Sequence, residues 1–167
     1  MAEVSPWLSE NLQYIPAGSD VLDIACGKGR HILPLLDKNC RVWAVDRDAE
    51  ALMGIDSDRR VLRWAWDLEA DGLPGMLNVD VTLVFNYLYR PLFANLSQHI
   101  RQGGLILHET FHIRHQALYG RPRRKQFCWQ DGEAASFFSE HGFQVTACED
   151  GVESNGRWVT RIAAVKM

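Results

Sequence analysis

The sequence predicts an α/β fold in which a mostly parallel sheet is covered by helices on both faces. Short β-branched runs alternate with helix-like segments, and a glycine turn follows the first apolar run. Near the end of the chain, Asn155-Gly156 separates two apolar runs, which is typical of a hairpin. We therefore expect seven strands, the last of which is antiparallel to its neighbours.

The predicted elements alternate along the chain. Strands are expected at residues 19–25, 40–46, 60–64, 79–86, 105–108, 143–149 and 157–165, and helices at 30–38, 48–54, 91–100 and 130–141. Asp48 suits an N-cap, and Pro91 suits a first helical turn. The Gly103-Gly104 pair is expected to end the third helix before the fifth strand begins.

Residues 111–128 break this alternation, because they show no clean periodicity. This insert is basic and lacks acidic residues; its charged members are Arg114, Arg121, Arg123, Arg124 and Lys125. We expect a long irregular loop. Its arginines offer planar forks for a carboxylate, a phosphate or RNA, whereas solvated loop charge is the ordinary explanation of such a run.

Composition indicates one soluble domain over residues 1–167, with 47% hydrophobic residues and a net charge of −3. That charge makes extended nucleic-acid binding unlikely. No apolar run approaches the roughly 20 residues of a membrane helix, so we expect a cytoplasmic protein with reduced cysteines. The cysteine spacing and the dispersed histidines predict no metal site. The sequence leaves the oligomeric state open.

The segment Asp23-Ile24-Ala25-Cys26-Gly27-Lys28-Gly29 carries the clearest chemical signal. Glycines at a strand-to-helix turn let a ligand approach the backbone closely. The spacing differs from that of the dinucleotide and phosphate-loop motifs. An acid two residues before the turn suits a ligand with an ammonium or sulfonium charge, and Cys26 fills a small-residue position inside the turn.

This segment resembles the first motif of class I S-adenosylmethionine (SAM)-dependent methyltransferases, with Ala25 where glycine is commoner. The resemblance implies their Rossmann-like fold and SAM as cofactor. It also implies that Asp23, Ala25, Cys26, Gly27 and Gly29 surround the amino-acid end of SAM. Two further positions fit: Asp46 ends the second strand, where it accepts the ribose hydroxyls, and Arg47 flanks the adenine.

Trp66-Asp67-Leu68 resembles the acidic loop after the third strand of the same family. There the acid binds the adenine amino group and a neighbouring apolar side chain packs on the base. We therefore expect Asp67 in the first role, and Trp66 or Leu68 in the second. The three features follow one another in the order expected for this family, and the resemblance covers nearly the whole chain.

The acceptor side is expected at the ends of strands four and five. Asn86 and Tyr87 follow strand four without the Asn-Pro-Pro-Tyr signature of enzymes that methylate amino groups of bases or glutamine, and Asn86 is also expected to contact SAM. His108 and Glu109 end strand five. Either is a candidate general base, although methyl transfer often needs only alignment of donor and acceptor. These segments look like a small bacterial branch related to tellurite-resistance-type methyltransferases.

We therefore predict a methyltransferase that moves the SAM methyl group to a small-molecule acceptor by in-line displacement. The predicted acceptor-side residues are Asn86, Tyr87, His108 and Glu109. Two alternatives remain. One is a non-catalytic protein that binds SAM or S-adenosylhomocysteine, and the other is an RNA methyltransferase that uses the basic insert.

Overall fold

A computed structural model describes residues 3–75 and 77–167. It contains a seven-stranded sheet in the order β3-β2-β1-β4-β5-β7-β6. The strands are β1 (Asp20–Ile24), β2 (Arg41–Asp46), β3 (Val61–Ala65), β4 (Val79–Phe85), β5 (Ile100–Phe111), β6 (Phe143–Val152) and β7 (Trp158–Lys166). Strands β1 to β5 pair in parallel, while β7 runs antiparallel to both β5 and β6. The predicted fold class is confirmed.

Helices pack on both faces of this sheet. They are α1 (Pro6–Asn11), α2 (Ile32–Asp37), α3 (Ala49–Met53), α4 (Leu68–Asp71), α5 (Arg90–Phe93), α6 (Ile113–Tyr119) and α7 (Glu133–Glu140). One buried cluster joins the sheet to α1, α2 and α3, and a second joins its other face to α4, α5 and α7. No helix within the described residues is long and apolar enough to span a membrane.

Five elements differ from the sequence-based expectation, and two of them, α1 and α4, are short helices in segments where no helix was expected. The helix expected over 91–100 is short, since α5 ends at Phe93 and a 3-10 turn, Leu96–His99, follows. Strand β5 begins at Ile100 and runs through the Gly103-Gly104 pair, which therefore lies inside a strand. Inside the insert, expected to be irregular, α6 forms although it buries no residue. The His112 side chain caps its start, and Gly120, at φ +66°, ends it.

Candidate functional site

Two adjoining cavities open where β1 and β4 end. The larger, of about 380 Å³, lies over the ends of β2 and β3, and the smaller, of about 350 Å³, lies beside the glycine turn. Ala25 and Asn86 line both cavities. Since β1 and β4 are paired neighbours, the two residues mark the point at which the cavities meet. The carboxyl ends of parallel strands are the usual ligand position in such sheets.

Ala25 and Asn86 both have left-handed backbones. Their φ angles are +53° and +58°. Such conformations cost free energy for residues with a Cβ, and they concentrate at ligand sites. In each case the left-handed residue directly follows the strand end and redirects the chain away from the sheet, which leaves the space between β1 and β4 open.

Asp46 fixes the glycine turn. Its carboxylate accepts the N–H of Gly27 at 2.8 Å and the N–H of Asp48 at 2.9 Å. Gly29 has φ +73°, and a Cβ there would lie 2.7 Å from Cδ1 of Ile32. The turn therefore requires glycine at position 29 for conformation and for packing. The hydrogen bond between Gly27 and Asp46 thus connects a residue that lines the smaller cavity to one that lines the larger cavity.

Asp23 lies in the smaller cavity and is 1% exposed. Burial raises the pKa of its carboxyl to about 7, while the nearby Arg30 lowers it and Asp46 raises it. Its Oδ2 has no hydrogen-bond partner among the described residues. A buried, unpartnered carboxylate oxygen beside a cavity is an unsatisfied acceptor, and a cationic donor would satisfy it.

Cys26 also lines the smaller cavity. Burial and the charges of Asp23 and Asp46 raise the pKa of its thiol. The thiol therefore stays protonated at neutral pH and is a poor nucleophile. Its contribution is that of a small side chain within the turn.

The larger cavity contains every residue expected around the adenine: Arg47, Trp66, Asp67 and Leu68. Asp67 is also the N-cap of α4, because its Oδ1 accepts the N–H groups of Glu69 and Ala70 at 3.0 and 3.1 Å. The indole of Trp66 donates to the carbonyl of Gly72 at 2.8 Å, which fixes the ring in the cavity wall. Leu68 is buried.

Tyr87 lies in the same cavity. Its hydroxyl is buried and bonds to no other described residue, and burial raises its pKa. The charges that act on this hydroxyl include Glu69, Asp67 and Arg47, all of which line the same cavity as Tyr87. The acceptor-side role expected for Tyr87 stays a prediction.

His108 lines neither cavity and is fully buried among Phe93, Trp129 and Phe138. Its Nδ1 bonds the carbonyl of Val84 at 2.8 Å, and its Nε2 accepts the indole N–H of Trp129 at 2.7 Å. Burial lowers its pKa to about 4. Both ring nitrogens are occupied and the ring is neutral, so this geometry argues against His108 as a general base.

Glu109 is 1% exposed and is held in an ion-pair network. Its Oε1 lies 2.8 Å from Arg157 and its Oε2 lies 2.7 Å from Arg161, while the Ser5 hydroxyl donates to the same carboxylate. The carboxylate lines a separate polar cavity beneath the N-terminal segment. Glu109 lines neither of the two cavities at the strand ends.

The insert, residues 111–128, covers one end of the larger cavity. Pro122 and Phe127 line it beside Phe111. Arg90 fastens the insert, since it donates to the carbonyls of Gln126 and Cys128 at 2.6 and 3.0 Å. The arginines at 121, 123 and 124 are exposed, so the apolar residues of the insert, not its charges, reach the cavity.

Three features of this region escaped the sequence analysis. Arg157, from the β6–β7 hairpin, donates to Oδ1 of Asn86 at 2.8 Å. Nη2 of Arg30, at the smaller cavity, is buried without a partner in the described chain. Finally, the fold brings His112, Asp131 and Asp150 together, although the spacing of the histidines had predicted no metal site. No local motif connects these positions, which lie far apart in the sequence.

Comparison with known proteins shows which solved structures share this fold. No model of a known family matches the sequence, and no curated protein matches it. Among solved structures, an S-adenosylmethionine-dependent methyltransferase from Mesorhizobium loti superposes with a TM-score of 0.75 at 15% identity, over 95% of this chain and 96% of that one. TehB from Haemophilus influenzae gives 0.73 at 17% identity, over 96% of this chain but 61% of TehB.

A third structure contains ligands. It is the 1,6-didemethyltoxoflavin-N1-methyltransferase of Burkholderia thailandensis with bound 1,6-didemethyltoxoflavin and S-adenosylhomocysteine. It matches with a TM-score of 0.72 at 20% identity, over 97% of this chain and 77% of that one. The chain described here therefore has the class I SAM-dependent methyltransferase fold, with the strand order 3-2-1-4-5-7-6.

Proposed function

We propose that this protein binds SAM and transfers its methyl group to a small-molecule acceptor. The observation that carries the proposal is the pair of cavities that meet at Ala25 and Asn86. One has an unpartnered buried carboxylate, and the other has an aromatic wall beside acidic side chains. SAM is a zwitterionic amino acid joined to an adenosine, so its amino-acid end suits the first cavity and its adenosine suits the second.

The residues present suit SAM. In this proposal, Asp23 receives the ammonium group at its unpartnered Oδ2, and Gly27, where an added Cβ would meet no atom within 4 Å, leaves room for the backbone of the amino acid. The carboxylate of Asp46, which lines the larger cavity, accepts the ribose hydroxyls. The second oxygen of Asp67, which carries no capping bond, receives the adenine amino group while Trp66 packs on the base.

The acceptor approaches from the insert side, next to Asn86, Thr110 and Phe111. The insert covers this end with Pro122 and Phe127, which limits the acceptor to a small molecule. Structural neighbours support this choice, since one of them holds 1,6-didemethyltoxoflavin. The basic residues of the insert lie outside the cavity, and so the geometry favours a small molecule over RNA.

When bound, SAM supplies an electrophilic methyl group on a sulfonium. The protein's part is to align donor and acceptor and to exclude water, which can provide most of the acceleration. Asn86 stands where the cavities meet, held by Arg157, and its amide oxygen and N–H₂ can orient an acceptor atom. With His108 neutral and enclosed and Glu109 paired, the proposal includes no general base from these two residues.

Calorimetry with SAM and S-adenosylhomocysteine tests the cofactor. We expect both to bind one site per chain, and failure of both to bind would contradict the proposal. Turnover is then measured as release of S-adenosylhomocysteine with a panel of small nitrogen, oxygen and sulfur nucleophiles, and in parallel with bulk RNA. Product formed with RNA alone would support the RNA methyltransferase, and cofactor binding without product from any acceptor would support a non-catalytic binder.

A further inference from the structure

A cluster of His112, Asp131 and Asp150 lies at the base of the insert, outside both cavities. Nε2 of His112 is 3.2 Å from Oδ1 of Asp131 and 3.6 Å from Oδ2 of Asp150. The imidazole side chain is 0% exposed, whereas the Asp131 side chain is 70% exposed. One buried nitrogen ligand therefore faces two carboxylates at the protein surface.

The contacts within the cluster are poor hydrogen bonds. Although Nε2 is close to both carboxylates, it forms a hydrogen bond of acceptable geometry with neither of them nor with any other group in the described part of the chain. A buried polar nitrogen left in this way costs free energy unless something else satisfies it. The unsatisfied Nε2 is a second observation, independent of the two acidic groups.

The separations suit a small divalent cation. Zinc binds histidine nitrogen and carboxylate oxygen at about 2.0–2.2 Å, so neighbouring ligands of a tetrahedral ion lie roughly 3.3–3.6 Å apart. Both His–Asp separations, 3.2 and 3.6 Å, are close to that edge length, and all three ligand atoms lie within 4.8 Å of one another. Histidine nitrogen and aspartate oxygen are both ligands that zinc takes in proteins.

We propose that His112, Asp131 and Asp150 bind Zn²⁺, with water in the remaining position. The ion takes the lone pair of Nε2 and one oxygen from each carboxylate. In the metal-free ring, Nδ1 accepts the N–H of Arg114 at 3.2 Å, so the ring proton is on Nε2. On coordination this proton moves to Nδ1 and the Arg114 bond opens. The ring carries one proton before and after binding. Loss of the Arg114 hydrogen bond lowers the Zn²⁺ affinity relative to a site in which the ring proton is already on Nδ1.

This site would be structural. His112 lies at the start of the insert, Asp131 follows its end, and Asp150 belongs to β6. The backbone already joins the two ends of the insert, because Trp129 N–H donates to the carbonyl of Phe111 at 3.0 Å. A bound ion therefore connects both ends of the insert to the sheet. The insert is the segment that covers the larger cavity.

The test uses the full chain after treatment with a chelator, titrated with Zn²⁺ by calorimetry and with Co²⁺ by visible absorption. We expect one ion per chain and the absorption of tetrahedral cobalt. Asp131→Asn and Asp150→Asn should each weaken Zn²⁺ binding more than about tenfold, or about 1.4 kcal/mol. The exposed Asp56 serves as the control, and Asp56→Asn should leave the affinity unchanged.

The site is refuted if wild-type protein binds no Zn²⁺, which would leave a plain ion-pair cluster. It is equally contradicted if both variants bind as tightly as wild type, because the ion then lies elsewhere, for example at the exposed Cys148. Asp131 is mostly exposed, so Asp131→Asn keeps the comparison valid even if Asp150→Asn unfolds. Hydrogen exchange gives an independent readout: Zn²⁺ should slow exchange within residues 113–130 in wild type and have no effect on Asp131→Asn.

Discussion

The guanidinium of Arg157 joins Asn86 to Glu109: it donates to Oδ1 of Asn86 and to Oε1 of Glu109, each at 2.8 Å. Asn86 and Arg157 are 71 positions apart in the sequence. The backbone repeats the connection, because Asn86 N–H donates to the Glu109 carbonyl at 2.8 Å. The β6–β7 hairpin therefore holds the residue at which the two cavities meet.

Removal of Arg157 tests this connection. Arg157→Ala leaves the buried Glu109 with Arg161 as its remaining ion-pair partner, and we expect the free energy of unfolding to fall by about 2 kcal/mol. Urea denaturation measures it. The matched control is Arg41→Ala, whose arginine is 64% exposed and paired with Asp20; we expect a loss below about 1 kcal/mol. Equal losses would show that the Arg157 contacts contribute no more than a surface pair.

The proposed ribose contact predicts a loss of cofactor affinity in Asp46→Asn. The amide keeps one oxygen for a backbone N–H but loses the charge and one acceptor. We expect S-adenosylhomocysteine to bind more than tenfold more weakly, by about 1.4 kcal/mol or above, in calorimetry. Asp48→Asn is the control, because it caps α3 outside both cavities. An unchanged dissociation constant for Asp46→Asn would contradict the ribose assignment.

Asp23 predicts an unusual dependence of stability on pH. Its pKa of about 7 lies above the value of an exposed carboxyl, so the folded state binds this proton more tightly than the unfolded state. The contribution of Asp23 to stability is therefore largest below about pH 4, falls as the pH rises to about 7, and is constant above. Denaturation across this range should show the slope in wild type, and Asp23→Asn should remove it.

Cofactor binding should depend on pH with the opposite sign. An ammonium group stabilises the ionised form of Asp23, so the affinity for S-adenosylhomocysteine should rise between about pH 6 and about pH 8. Calorimetry at both limits checks this, with Asp23→Asn expected to show weak binding at either pH. A wild-type affinity that does not change over this interval would argue against the ammonium contact.

The enclosed His108 predicts a change in stability without a change in binding. His108→Phe leaves the Trp129 indole and the Val84 carbonyl without partners, and we expect a loss of about 3 kcal/mol in urea denaturation. The S-adenosylhomocysteine dissociation constant should stay within about twofold of wild type. A folded variant with tenfold weaker binding would place His108 in the site after all.

The neutral state of His108 also has a consequence for wild-type stability. Its folded pKa of about 4 is below the value of a free imidazole, so the unfolded state binds the proton more tightly. Stability from this group is present above about pH 6.5 and is lost as the pH falls towards 4. This change opposes that of Asp23, and the His108→Phe variant separates the two.

Much of the sheet and of the cofactor side could be predicted from the sequence. The runs that form β1, β2 and β4 are apolar and end in turn residues, so local pattern and burial agree. The residues that were expected together around the adenine, Arg47, Trp66, Asp67 and Leu68, line one cavity, because adjacent parallel strands end at one edge of the sheet. These features depend on neighbours in the sequence and on one rule of topology.

The errors concern features that depend on contacts far along the chain. Helix α6 has no buried face, so its sequence lacks the apolar periodicity that would predict a helix. His108 was expected at the site because it ends the predicted strand, but β5 continues to Phe111, so His108 lies inside the strand and its side chain is enclosed in the core against Trp129. Arg157 follows a turn and shows no motif. Its role arises from the antiparallel pairing of β7 with β5.

Strand β7 lies between β5 and β6 in the sheet, and β6 pairs with no other strand. During synthesis, β1 to β5 can assemble as the chain emerges, whereas β6 has no partner strand until β7 has been synthesised. Arg157 and Arg161 arrive with that last strand, and until then Glu109 has neither of its cations. The carboxyl ends of β1, β2 and β3 can thus form early in translation, and the surroundings of Asn86 are completed by the final strand.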